Sequence, residues 1–153
     1  MTSVPGPAPR VHVDQTAKGA FQALFRILPH DVATDINSRK WQIINAWRPL
    51  KTIQKDPLAM ADATSIPISD LVPLPRMYGD KEGENCAVKA DEVSQHKWYY
   101  IFEQQPDEVL LFKQHDSDPE AKTRGAAHSS FPYPGTEHLE NRMSIEVRAI
   151  VCY

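Results

Sequence analysis

Several things that would have settled the function of this 153-residue chain are missing from it. There is no basic surplus: 17 Lys and Arg stand against 20 Asp and Glu, a formal charge of −3. That removes the electrostatic basis for gripping nucleic acid or an anionic membrane surface. No apolar run reaches bilayer-spanning length, and no basic-then-apolar leader opens the chain, so neither a membrane span nor export is signalled. Cysteine is nearly absent. Cys86 and Cys152 fit no metal spacing and read as free thiols, which points to a cytoplasmic protein. Internal repeats are missing too, and low complexity is confined to the opening "MTSVPGPAP", read as a disordered tail over residues 1–9.

What remains is a chain with 41% apolar residues, enough to build one core, and 13 prolines spread along it. Near the start, "TAKGAFQALFRILP" sets Phe21, Leu24, Phe25 and Leu28 on one helical face. Thr16 is placed to cap that helix and Pro29 to stop it, with a further helical turn or two over "HDVATDINS". From Lys40 onward the pattern is β. "KWQIINAW", "PLAMADAT", "DLVPLPRMY", "ENCAVKA", "HKWYYIF", "EVLLFK" and "RMSIEVRAIVCY" are short, rich in β-branched and aromatic residues, and separated by turn formers. The fold class expected is mainly β with a short helical segment near the N-terminus, a barrel or double-sheet jelly roll over residues 10–153.

The chemistry-bearing residues begin at "RVHVDQT". On a strand, His12 and Asp14 point the same way while Val13 points the other. An imidazole and a carboxylate presented together are two thirds of the facial triad that holds non-haem Fe(II), a site completed by one more histidine. His128, set among small residues in "GAAHSSF", is the best third ligand. His30, His96, His115 and His138 sit at a helix stop, a strand mouth, an acidic loop and a turn, where ordinary hydrogen bonding explains them. In the last strand, alternation puts Arg142, Ser144, Glu146 and Arg148 on one face. That face is either a solvent face or the wall of a polar cavity. In the second case Arg142 and Ser144 suit a carboxylate, the guanidinium in bidentate fashion and the hydroxyl as a further donor, while Glu146 and Arg148 can pair with each other.

The order His-x-Asp, distant His, Arg-x-Ser resembles that of Fe(II)/2-oxoglutarate-dependent oxygenases. Longer blocks carry the resemblance further. "WQIINAWRPLKTIQKDPLAMADATS", "HKWYYIFEQQPDEVLLFKQHDS", "AAHSSF" and "RMSIEVRAIV" are similar to a fungal hydroxylase/desaturase family of secondary metabolism, with aspergillic acid hydroxylase-like, gibberellin desaturase-like and cephamycin methoxylation-related members. The resemblance implies a double-stranded β-helix (jelly-roll or cupin-like) barrel. It implies Fe(II) on His12, Asp14 and His128, and 2-oxoglutarate on Arg142 and Ser144. Asn45 and Arg48 become candidates for contacting co-substrate or substrate, though they point to opposite faces of a regular strand. Trp47, Trp98 and Tyr99 become candidate walls for an apolar small-molecule substrate, with core packing as their other reading.

Family members carry a substantial segment before the His-x-Asp pair, and here eleven residues precede His12. The resemblance therefore implies bare early strand edges, covered by a second copy of the chain or by another subunit. It also leaves room for other trades on the same scaffold: a cofactor-free cyclase or isomerase working by His/Asp acid–base chemistry, or a non-catalytic accessory protein.

Overall fold

The computed structural model describes residues 6–90 and 95–153. Of the tail read as disordered, residues 1–5 lie outside the described ones, while the Ala8 carbonyl accepts the Ser130 N–H at 2.9 Å. No helix among the described residues is long and apolar enough to cross a membrane.

The helices arise where the sequence places them. α1 (Ala17–Ile27) starts at Thr16, whose hydroxyl accepts the Gly19 N–H at 3.0 Å and so satisfies one of the donors left over at a helix start. α1 ends before Pro29, and α2 (His30–Asn37) follows at once. One detail differs from the expected apolar face. Leu24 is buried and Phe25 and Leu28 pack against the core, but Phe21 is 46% exposed. The reason is a close approach at Gly19, where an added Cβ would lie 1.9 Å from the Glu84 carbonyl oxygen. Only glycine permits that contact. It rolls α1 so that Ala20, Ala23 and Leu24 face inward, and Phe21 is left on the rim.

The strands pair antiparallel throughout and form two sheets. The larger runs, in order, β4 (Leu71–Tyr78), β5 (Lys81–Val88), β1 (His12–Val13), β8 (His128–Ser130), β3 (Leu58–Ala61) and β6 (Trp98–Tyr100). The smaller runs β7 (Leu110–Asp116), β2 (Trp41–Pro49) and β9 (Ser144–Cys152). Facing each other, they make the expected jelly-roll sandwich.

β2 shows how the layers are filled. Trp41, Ile43, Asn45, Trp47 and Pro49 are buried and the residues between them less so, the period-two signature of one face turned inward. Trp41 and Ile43 pack with α1 and α2, while Trp47 packs with Ile53, Leu58 and Phe112. Asn45 sits between these two apolar clusters, fully buried.

The bare edge expected beside the first strand is not there. β1 is paired on both sides, to β5 and to β8. Among the described residues the open edges lie elsewhere, at β4 and β6 of the larger sheet and at β7 and β9 of the smaller one, each hydrogen-bonded to one neighbour.

Candidate metal centre

The site begins with strand register. His12 and His128 are direct partners across the β1–β8 pair, so their side chains emerge side by side, with ring centroids 4.4 Å apart. Asp14, two residues beyond His12, projects on the same side. Its Oδ1 lies 3.3 Å from the His12 Nε2 and 3.7 Å from the His128 Nε2. One ligand atom from each of the three residues falls within 4.8 Å of the others. Three ligands at bonds of about 2.1 Å on one face of an octahedron sit about 3 Å apart, so a small inward movement would close these groups on a cation.

Backbone carbonyls fix which nitrogen each ring offers. The His12 Nδ1 lies 2.7 Å from the Arg10 carbonyl and the His128 Nδ1 lies 3.1 Å from the Ala126 carbonyl. A carbonyl only accepts, so Nδ1 donates in both rings and each Nε2 keeps its lone pair for the centre. This is the outer hydrogen bond that metal-binding histidines use to hold tautomer and orientation. The Phe112 ring meets His128 edge-on at 5.1 Å and closes that side.

The carboxylate is held from the opposite sheet. The Asn45 Nδ2 donates to Asp14 Oδ2 at 2.9 Å, and Arg148 donates to the same oxygen. Arg148 Nε also donates to Asn45 Oδ1 at 2.9 Å, and its guanidinium lies 3.3 Å from Glu146. These contacts follow from register, because Asn45 of β2 and Arg148 of β9 are partners on the inner face. Gln114 of β7 completes the cage by accepting the Asp14 N–H at 3.0 Å.

Electrostatics follow from this packing. Burial alone would raise the Asp14 pKa, but the His12 hydrogen bond, His128, Arg148 and Asn45 outweigh it and hold the carboxyl at about 2. The hydrogen bond to Asp14 raises the His12 pKa above its ordinary value despite partial burial. Burial lowers that of His128, against the pull of Asp14. Glu146 is raised, first by burial and then by the nearby Asp14 charge.

The other sequence candidates are placed as follows. Arg142 lies with its guanidinium 5.1 Å from the centre of the Trp47 ring and donates to the Asp56 carbonyl at 2.7 Å; its buried Nε has no partner. Ser144 stands opposite Pro49 at the start of β9, on the same face as Glu146 and Arg148. Trp47 is buried in the cluster that contains Phe112. Arg48 points to the other face of β2, exposed, and donates to the Pro106 carbonyl at 2.8 Å. Tyr99 is opposite Met60, which in turn is opposite His128, so all three share the inner side of the larger sheet. Trp98, next to it, lines a surface recess with Arg10, Lys89 and His96. Sequence reasoning left Arg148 as a partner for Glu146 and gave Gln114 no role. Strand parity had already put Arg148 on the face of Ser144, but nothing in the sequence tells that this face meets Asp14.

Comparison with known proteins gives a family, two curated relatives and a solved structure. Residues 2–152 match a domain family described as "Oxidoreductase/YMDC permease-like domain". The chain is 42% identical over 149 residues to the alpha-ketoglutarate-dependent dioxygenase tstK of Talaromyces stipitatus, covering 97% of this chain and 53% of that protein. It is 39% identical over 154 residues to the hydroxylase/desaturase efuI of Hormonema carpetanum, covering 95% and 52%. Among solved structures, the iron and alpha-ketoglutarate-dependent endoperoxidase NvfI superposes with a TM-score of 0.84 at 28% identity, covering 99% of this chain and 58% of that one. The chain spans about half the length of the curated relatives it matches.

The two imidazoles give a direct check on this geometry. In metal-free protein, proton NMR should show His12 titrating above the unperturbed 6.5 and His128 below it. The His12–Asp14 pairing then stabilises the fold fully below 6.5 and loses that contribution as pH rises through the raised value. Neutral burial of His128 works in the opposite sense, losing stability as pH falls from 6.5. The reverse order of titration would contradict the arrangement.

Proposed function

Because the chain belongs to the oxidoreductase family shared with fungal alpha-ketoglutarate-dependent dioxygenases and hydroxylase/desaturases, we propose that it is an Fe(II)/2-oxoglutarate-dependent oxygenase that hydroxylates or desaturates a small-molecule intermediate of fungal secondary metabolism. The observation that carries this reading is the convergence of two Nε2 lone pairs and one carboxylate oxygen from residues 12, 14 and 128. Two neutral imidazoles with one carboxylate are the donor set of the facial triad, which leaves positions open for co-substrate and oxidant.

His12, Asp14 and His128 would hold the iron. Bound there with 2-oxoglutarate and O2, the metal supplies an oxidant strong enough to take hydrogen from an unactivated carbon. Arg142 and Ser144 would hold the distal carboxylate of 2-oxoglutarate. The support is the buried Arg142 Nε, a charged donor with no acceptor in the protein, where an anionic oxygen completes the hydrogen bonding. Trp47 stacks under that guanidinium and limits how it can turn. Tyr99, on the inner side of the edge strand β6, would face substrate; alternation turns Trp98 to the other side, at the surface recess. Phe112, edge-on to His128 and packed with Trp47 and Leu58, presents an apolar wall to one side of the centre. Cys86 and Cys152, both free, suit a cytoplasmic site of action.

The partner assigned to the β9 edge is a second copy of the chain. β9 offers an edge nine residues long, free of proline. Antiparallel pairing of two β9 strands centred on Val147 sets the exposed Val147 of one copy directly opposite that of the other on the outer face. On the outer face of this sheet Val147 of β9 is 60% exposed and Leu111 of β7, at the far edge, 71%, more apolar surface than a solvent-facing sheet usually shows.

Two measurements test these readings. Anaerobic addition of Fe(II) and 2-oxoglutarate should produce a weak visible charge-transfer band, lost in His12→Ala. No band at saturating metal, or turnover by His12→Ala without metal, would move the assignment to proton-transfer chemistry. At micromolar concentration the mass in solution should be that of a dimer and should fall to a monomer in Val147→Lys; a monomeric wild type would refute the second-copy assignment.

A further inference from the structure

We infer that Asn45 and Arg148 are positioning residues that keep Asp14 a one-oxygen ligand, so that a metal on His12, Asp14 and His128 retains three open coordination positions. The inference rests on the metal-centre reading above and adds a cause for how many positions the centre leaves free. A carboxylate can bind a cation through one oxygen or through both. With two imidazoles, one-oxygen binding fills three of six octahedral positions and leaves three. Two-oxygen binding leaves two. A bidentate co-substrate occupies two positions, so only the first case keeps one for an oxidant.

The structure divides the two oxygens of Asp14 between two tasks. Oδ1 faces the imidazoles, at 3.3 Å and 3.7 Å from their Nε2 atoms. Oδ2 is turned the other way and takes two donors, the Asn45 amide at 2.9 Å and the Arg148 guanidinium. Chelation would need rotation of the carboxylate plane and the loss of both. Neither donor is free to follow. Asn45 is fully buried, and its amide cannot flip, because its Oδ1 already accepts from Arg148 Nε. Below the side chain, the Asp14 N–H is fixed on Gln114. The three groups thus lock one another, and the lock joins the smaller sheet to the larger one across the sandwich.

A merely structural tie between sheets would make the same contacts, so stability alone does not decide. The number of exchangeable waters on the bound metal does. The probe is Mn(II), which is stable in air and relaxes the protons of each water it exchanges. At saturating Mn(II), Arg148→Met should lower the inner-sphere water relaxation by about one third, from three waters to two, as Oδ2 leaves its weakened cradle for the metal. Arg148→Lys keeps a cation in reach of Oδ2 and should restore the wild-type value. Loss of Mn(II) binding in Arg148→Met with normal binding in Arg148→Lys would also support the role, since it ties a competent ligand to the cation. Wild-type relaxation in Arg148→Met would overturn the inference, as would equal impairment of both variants. A wild-type protein that binds no Mn(II) would instead remove the metal-centre reading itself.

Discussion

The carboxylate of Asp14 is the point at which the two layers of the fold and the chemistry of the site meet. One oxygen faces the imidazoles of β1 and β8, and the other is hydrogen-bonded to Asn45 of β2 and Arg148 of β9. A buried carboxylate without partners would protonate or drive the sheets apart. With four partners it stays ionised, its pKa at about 2. Removing Arg148 would leave a buried carboxylate short of its cation, which is costlier than never having built the network. The arrangement is therefore as much a constraint on how the sheets stack as on what the site binds.

The rest of the fold serves to hold that geometry. Apolar clusters lie to either side of Asn45 along β2: Trp41 and Ile43 against the helices, and Trp47 with Phe112 and Leu58. They dry the space in which the polar network sits and strengthen it. The Gly19–Glu84 contact brings α1 flush against β5, beside β1. β1 is only two residues long, yet pairing on both sides fixes its register, and register alone puts His12 opposite His128.

Much of this could be read from residue order, and the part that could not has a common cause. Alternation is local, so the shared face of His12 and Asp14, and that of Ser144, Glu146 and Arg148, were legible from the sequence. The helix limits were legible for the same reason, from Thr16 and Pro29. Which face meets which is not local. It depends on strand pairing across more than a hundred residues, and so the bond from Arg148 to Asp14 was hidden although both residues were in view. Asn45 was singled out as a possible ligand contact, and its amide turns out to face a carboxylate of the protein itself. Arg48, three residues on, is carried outward by the same alternation. The bare edge expected beside β1 is absent because β5 returns to cover the first strand, a connection that composition and spacing do not reveal.

The most direct test of the central claim is to locate the metal. Crystals grown anaerobically with Fe(II) and measured across the iron absorption edge should show one anomalous peak at about 2.1 Å from the Nε2 atoms of His12 and His128 and from Asp14 Oδ1, with Asp14 Oδ2 still on Asn45 and Arg148. Iron found elsewhere on the protein, or bound without one of these three side chains, would contradict the account.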